Sequence, residues 1–160
     1  MNDETSDDGT SRVAERLGRV LHERGASIGI AESLTGGLLV QSLARVSGSG
    51  DWLQGAVVAY ASSVKHGLLG VTAEKVVSQR SAEEMARAAR RGLGADVGLA
   101  VTGAAGPEPQ DGEPPGTVWI GIDDGRTVAA ELFETQGTPE DVCRQTVTEA
   151  LQRVLARIER

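Results

Sequence analysis

GIAESLTGGLLVQSLARV, residues 29–46, changes from the pattern of a strand to that of a helix near its centre. An apolar run over 27–31 precedes Glu32, two hydroxyl residues and a glycine pair, and apolar residues then recur at helical spacing over 36–46. A strand that leads directly into a helix is the repeating unit of α/β proteins, in which ligands bind beyond the carboxyl ends of the strands. This stretch therefore predicts a fold and also a position for a site.

The same alternation continues along the rest of the chain. The predicted strands are 27–31, 55–61, 96–103, 117–123 and 127–134, and the predicted helices are 12–24, 36–46, 81–93 and the segment that Thr138-Pro139 begins. Ser81 and Glu84 have the spacing of a capping box at the start of the third helix. The turn Asp123-Asp124-Gly125 predicts an antiparallel hairpin. We expect an α/β protein, a three-layer α/β/α sandwich with a mixed, mostly parallel sheet.

Composition limits the possible classes of protein. Four acids and no base stand in the first nine residues, so we expect a disordered acidic tail over 1–10 and a single domain over 11–160. With four aromatic residues and no basic stripe, nucleic acid binding is disfavoured. One cysteine excludes an internal disulfide, and without a signal peptide or a long apolar run we expect a cytoplasmic protein with no membrane partner.

Three loops that follow predicted strands hold the candidate chemistry: 32–37, 60–65 and 102–116. If those strands are parallel, the loops share one edge of the sheet. In the first loop, Ser33 precedes Gly36 and Gly37, whose N–H groups at a helix start suit a phosphate or an oxyanion. Ser33 is then a candidate nucleophile. The alternative is that Ser33 or Thr35 only caps the helix.

The second loop contains the candidate base. Tyr60 is the only tyrosine, and Lys65 follows five residues later; a desolvated lysine activates a serine in known variants of the serine–histidine scheme. The alternatives are a core tyrosine beside a solvated lysine, or His66 as the base. The third loop begins with small residues, which permit close approach of a ligand or form a plain turn.

Together these segments resemble the CinA C-terminal domain family over roughly residues 12–158. AESLTGG is similar to the family's Ala-Glu-Ser-Cys-Thr-Gly-Gly, with Leu34 in place of the cysteine. GSGDWLQGAVVAYASSVKHGLLGV resembles its second block, which carries a tyrosine and, five residues on, a lysine. VTGAAGPEPQDGEPPGTVWIGI resembles its third block, with Thr-Gly-Ile-Ala-Gly-Pro, a glycine-rich loop and a Pro-x-Gly-x-Val strand.

The resemblance implies an amidohydrolase that converts nicotinamide mononucleotide to nicotinic acid mononucleotide and ammonia. Ser33 would be the nucleophile, with Tyr60 and Lys65 as its activating partners. The residues expected around the substrate are Glu32, Thr35, Gly36, Gly37, Ser62, Thr102, Gly103 and Gly106. No metal and no cofactor are required, the partner is a small pyridine nucleotide, and a homo-oligomer is expected.

The chain departs from the family pattern at two places. The family's Tyr-Ser-Asn is here Tyr60-Ala61-Ser62, and two arginines that open its last helix are here Pro139 and Cys143, with Arg144 next to the second. Such arginines would bind a substrate phosphate or a neighbouring subunit. These departures motivate an alternative function, a catalytically impaired module of the same fold that binds a nucleotide or a partner.

Overall fold

The computed structural model describes residues 3–160, with side chains from residue 7 onward, and contains one five-stranded sheet. The strands are β1 (Ile28–Glu32), β2 (Leu53–Val58), β3 (Val97–Gly103), β4 (Thr117–Asp123) and β5 (Val128–Glu134). Their order across the sheet is β2-β1-β3-β4-β5. The first three of these are parallel, whereas β4 and β5 run antiparallel to their neighbours. The predicted mixed sheet and the final hairpin are confirmed.

Helices cover both faces of this sheet. They are α1 (Asp3–Arg24), α2 (Leu38–Ala44), α3 (Ser62–Gly67), α4 (Gln79–Gly92) and α5 (Pro139–Glu159), with a short 3-10 turn at Ser49–Asp51. Buried residues of α1, α2 and α5 form one core on the first face, and α4 with the segment after α3 forms a second core on the other. The three-layer α/β/α arrangement is therefore as predicted. No helix in the described part of the chain is long and apolar enough to cross a membrane.

A stripe of glycines on the sheet lets α4 lie directly against it. A Cβ atom on Gly98 would stand 2.1 Å from the carbonyl oxygen of Ala86. A Cβ atom on Gly121 would likewise stand 2.2 Å from the Ala82 carbonyl oxygen. Because neither distance is sterically possible, the contact between helix and sheet requires glycine at both positions. The glycines therefore fix α4 against β3 and β4. Because β2, β1 and β3 are parallel, their carboxyl ends meet at one edge.

The first helix begins earlier than the sequence indicates. Thr10 and Ser11 suggest a start near residue 12, whereas α1 begins at Asp3; disorder of the acidic tail over 1–10 stays a prediction. Residues 1 and 2 lie outside the described residues. An Asp8–Arg12 ion pair at 2.6 Å supports the added turns, and acids in the first turns of a helix interact favourably with its dipole.

The start of α4 also differs from the prediction. Ser78, not Ser81, caps the helix, since its side chain accepts the Ser81 N–H. The Glu84 carboxylate instead binds the backbone N–H and the hydroxyl of Thr72. Burial opposes the ionised form, but these hydrogen bonds outweigh it and lower the pKa of Glu84 to about 2. Glu84 thus ties the segment after α3 to α4.

The start of α5 is confirmed. Thr138 is the cap, Pro139 follows in the first turn, and the Thr138 and Asp141 side chains bind each other's backbone N–H groups as a capping box.

The glycine stripe gives a direct test of the α4 contact. Gly98→Ala should lower the free energy of unfolding by about 1–3 kcal/mol, because the added methyl forces α4 away from the sheet. The matched control is Gly92→Ala, since a Cβ there meets nothing within 4 Å. Urea denaturation of both variants measures the difference, and equal midpoints would contradict the steric argument.

Candidate functional site

The three candidate loops meet at one edge of the sheet, where they enclose a cleft of about 490 Å³. Its wall comes from the ends of β1 and β3, the start of α3 and the loop after β3. The lining residues are Ser33, Leu34, Tyr60, Ala61, Ser62, Gly103, Ala104, Ala105, Gly106, Glu108, Pro109 and Gln110. The parallel strands therefore bring together Ser33, Tyr60, Ser62, Gly103 and Gly106, as the sequence predicts. The volume suits a small organic molecule.

Glu32 is not at the cleft but inside the protein. Its carboxylate is fully buried and accepts four hydrogen bonds, so no oxygen is left over for a substrate. The donors are the Thr35 hydroxyl at 2.7 Å and the backbone N–H groups of Gly37, Leu39 and Val40 at 3.2, 2.9 and 2.9 Å. Glu32 thus supplies the anion at the start of α2.

This cap places part of the predicted site away from the cleft. Glu32 and Thr35, which were expected around the substrate, are buried and contact each other. The oxyanion contact expected of the glycine pair is also replaced, because the Gly37 N–H binds Glu32 and the Gly36 N–H binds the Ser33 carbonyl oxygen. The sequence signal for this cap is a carboxylate six residues before the helix. The sequence does not show which N–H and hydroxyl donors that carboxylate reaches.

Ser33 is held in place through its backbone while its hydroxyl stays unengaged. Its N–H donates to the Val101 carbonyl oxygen at 3.1 Å, which extends the pairing of β1 with β3 by one residue. The side chain lines the cleft although the residue is only 4% exposed. Within residues 3–160, no hydrogen bond to the Ser33 hydroxyl is present. A recessed hydroxyl without a partner is available to a bound ligand.

Lys65 is fully buried on α3, although lysine is rarely found inside proteins. Its Nζ donates to the backbone carbonyl oxygen of Tyr60 at 3.2 Å. Burial lowers the pKa of Lys65, and the negative charge of Asp111 acts in the opposite direction. The solvated lysine considered from the sequence is therefore excluded. A lysine with a lowered pKa has the property that a general base requires.

Tyr60 and His66 differ in their relation to the cleft. Tyr60 lines it and is 71% exposed, which excludes the core tyrosine of the alternative interpretation. Its link to Lys65 runs through the backbone carbonyl. The His66 ring lies outside the lining, with Nδ1 2.8 Å from the Val71 carbonyl oxygen. Lys65 is favoured over His66 as a base because it is buried, binds the backbone of Tyr60 in the cleft wall and has a lowered pKa.

The third loop contains one residue that does not reach the cleft and one that the sequence did not indicate. Thr102, which was expected around the substrate, is buried, and its hydroxyl donates to the Val76 carbonyl oxygen at 2.7 Å. Asp111 has a left-handed backbone, φ 55°, and accepts the Val77 N–H at 2.9 Å. Asp111 and Thr102 together fasten the segment 76–77 beside the cleft. No local pattern marks Asp111, which lies 46 residues from Lys65.

Cys143 on α5 contacts the loop that contains Ser33. Its Sγ donates to the Leu34 carbonyl oxygen at 3.2 Å. Burial and the charge of Glu140 both raise the pKa of this thiol, so it remains protonated and able to donate. The neighbouring Arg144 lies near Glu140 and Asp141 at 3.6 and 3.8 Å. Position 143 therefore lies beside the candidate nucleophile, with a thiol in place of a cation.

The fold and the cleft define a mixed α/β protein with a recessed serine at a strand end and a buried lysine that binds the backbone of the cleft at Tyr60. The CinA C-terminal domain matches residues 10–158, and the chain belongs to this family. Solved structures agree with the assignment. A CinA superfamily protein from Klebsiella pneumoniae is 30% identical with a TM-score of 0.89, covering 94% of this chain and 98% of that one. The competence/damage inducible protein CihA from Agrobacterium tumefaciens is 27% identical with a TM-score of 0.88, covering 95% and 96%.

Relatives by sequence fall into two lengths. The chain is 38% identical over 154 residues to a protein named nicotinamide-nucleotide amidohydrolase PncC from Pseudomonas putida, covering 92% of this chain and 96% of that protein. It is 42% identical over 147 residues to a protein of Limosilactobacillus fermentum that is named competence-damage inducible. The matched region covers 88% of this chain but only 36% of that relative, so the chain spans about a third of the longer protein.

The four hydrogen bonds of Glu32 distinguish a structural role from substrate binding. Glu32→Gln keeps the shape of the side chain but sets an NH₂ group against an N–H donor at the start of α2. We expect the free energy of unfolding to fall by about 1–3 kcal/mol in urea denaturation. KM for the deamidation expected from the sequence should not change. Thr35→Val, which removes one donor alone, should cost about 1 kcal/mol. If KM rises while the urea midpoint stays the same, Glu32 contacts the substrate and does not serve mainly as a helix cap.

Proposed function

We propose that this protein is an amidohydrolase that converts nicotinamide mononucleotide to nicotinic acid mononucleotide and ammonia. The observation that carries the proposal is a fully buried lysine, Lys65, fixed to the backbone of a cleft that also presents the unengaged Ser33 hydroxyl. The similarity to a relative named nicotinamide-nucleotide amidohydrolase, over nearly its whole length, supports the choice of substrate.

The proposed reaction is acyl transfer through Ser33. Neutral Lys65 takes the proton of the Ser33 hydroxyl, and the oxygen attacks the carboxamide carbon of nicotinamide. Lys65 returns the proton to the nitrogen as the carbon–nitrogen bond breaks, so ammonia leaves. Water then attacks the acyl–serine bond, which releases the carboxylic acid and restores Ser33. Tyr60 lines the same cleft and binds Lys65 through its carbonyl oxygen, and its phenol is the proposed contact with the substrate beside Lys65.

The developing oxyanion needs N–H donors close to Ser33. The amides of Gly36 and Gly37 are already engaged. Within the described residues the Leu34 amide has no partner, and it follows Ser33 directly along the chain. Leu34, together with Gly103 on the facing wall, is therefore the proposed donor pair.

Replacement of the nucleophile gives the first test of this scheme. Ser33→Ala should reduce ammonia release from nicotinamide mononucleotide by about a thousandfold or more. The fold should be unaffected, because the lost hydroxyl has no hydrogen bond within the described residues. Ser63→Ala is the matched control, since Ser63 is exposed on α3 and lies outside the cleft lining.

The outcome also separates this function from the alternative of a binding module. Activity of Ser33→Ala within about tenfold of the unchanged protein would exclude a covalent serine mechanism. If the unchanged protein releases no ammonia but binds the mononucleotide in calorimetry, the binding module of the same fold is the better description.

The pKa of Lys65 predicts the pH dependence of the reaction. A base must be neutral, and the neutral fraction of a lysine grows as the pH rises through its pKa. Because burial lowers that pKa below 10.5, activity should rise with pH and level off below this value. Lys65→Arg and Lys65→Met should both be inactive, whereas His66→Gln should keep its activity. Rates over the pH range, with circular dichroism to verify folding, are the measurement.

Two results would overturn this assignment of the base. An active Lys65→Met protein would remove Lys65 from the mechanism. An inactive but folded His66→Gln protein would transfer the role of the base to His66.

A further inference from the structure

The charge of the cleft wall indicates which part of the substrate the site recognises. Glu108 is the only charged residue among those that line the cleft. The segment 107–113 that bears it also contains Asp111 and Glu113 and no basic residue. A wall of this kind attracts a pyridinium cation and repels a phosphate.

We propose that the site recognises its substrate through the pyridinium carboxamide, with Glu108 facing the cation, and makes no charged contact with a phosphate. This inference rests on the proposed function. It implies that the phosphate-free nucleoside, nicotinamide riboside, is accepted as readily as the mononucleotide.

None of the described residues that line the cleft is basic. Lys65 is buried and must be neutral when it takes the proton of Ser33, so it cannot also neutralise a phosphate. Arg144 lies against the acids of its own helix, Glu140 and Asp141. Position 143, beside the Ser33 loop, carries a thiol that donates to the Leu34 carbonyl oxygen.

The size of the expected effect follows from the strength of charged hydrogen bonds. Each hydrogen bond between a cationic side chain and a phosphate is worth about tenfold or more in affinity, so a site with two of them loses about a hundredfold when the phosphate is removed. A single backbone N–H that donates to a phosphate also makes a charge-assisted hydrogen bond and is worth about tenfold. We therefore expect kcat/KM for the two compounds to agree within about tenfold.

The experiment compares ammonia release from nicotinamide mononucleotide and from nicotinamide riboside at the same pH and ionic strength. Values of kcat/KM within about tenfold support the inference. A preference of about a hundredfold or more for the mononucleotide overturns it while leaving the proposed function intact, because it demonstrates a phosphate subsite. A preference for the mononucleotide would also arise if a second copy of the chain supplied cationic side chains to the phosphate.

Failure of the proposed function can be distinguished from failure of the inference. If neither compound releases ammonia, the amidohydrolase assignment fails, and calorimetric binding of the two compounds to the same protein still decides the question of recognition. Similar Kd values support recognition through the pyridinium. Binding of the mononucleotide alone, or of neither compound, overturns it.

Variants of Glu108 test its part separately. Glu108→Gln should raise KM for the riboside by about two- to fivefold at low salt with kcat unchanged, since an exposed charge pair is worth no more than this. Glu23→Gln, an exposed acid on α1, is the matched control. Glu108→Arg should shift the ratio of kcat/KM towards the mononucleotide by about tenfold. If KM and this ratio stay constant in both variants at low salt, Glu108 has no part in recognition.

Discussion

The buried carboxylate of Glu32 is the interaction on which the candidate site depends. It ends β1 and accepts four hydrogen bonds, two from the first turn of α2 and two from the five-residue turn that connects the strand to the helix. Ser33 is the first residue of that turn. The carboxylate therefore holds the hydroxyl of Ser33 at the edge of the sheet, and it does so without any contact with the cleft.

A second constraint acts on the opposite face of the sheet. Glycines in the strands allow α4 to approach until its backbone carbonyls touch the sheet, and Glu84 of that helix binds Thr72 in the segment after α3. The N–H of Val71 in this segment binds the Lys65 carbonyl oxygen. The segment after α3 thus connects α4 to Lys65 through hydrogen bonds.

The sequence predicts those features that depend on local pattern. The strands β1 to β5, the hairpin and the Thr138 cap all follow from spacing and turn chemistry over a few residues, and they agree with the structure. Convergence of the loops follows as well, because parallel strands end at a common edge. Side-chain contacts between distant segments do not follow from local pattern. The acceptors of Thr102 and the position of Asp111 relative to Lys65 are set by packing across 26 and 46 residues.

Burial of Lys65 has a thermodynamic consequence for the whole domain. Its pKa is lower in the folded protein than in the unfolded chain, so the unfolded chain binds more protons between the two values. Stability therefore increases with pH across that interval, and below it the full penalty of enclosing the ammonium group is deducted from the folding free energy. Enclosing the lysine therefore lowers conformational stability at low pH, and conditions that favour the neutral lysine favour the folded state as well.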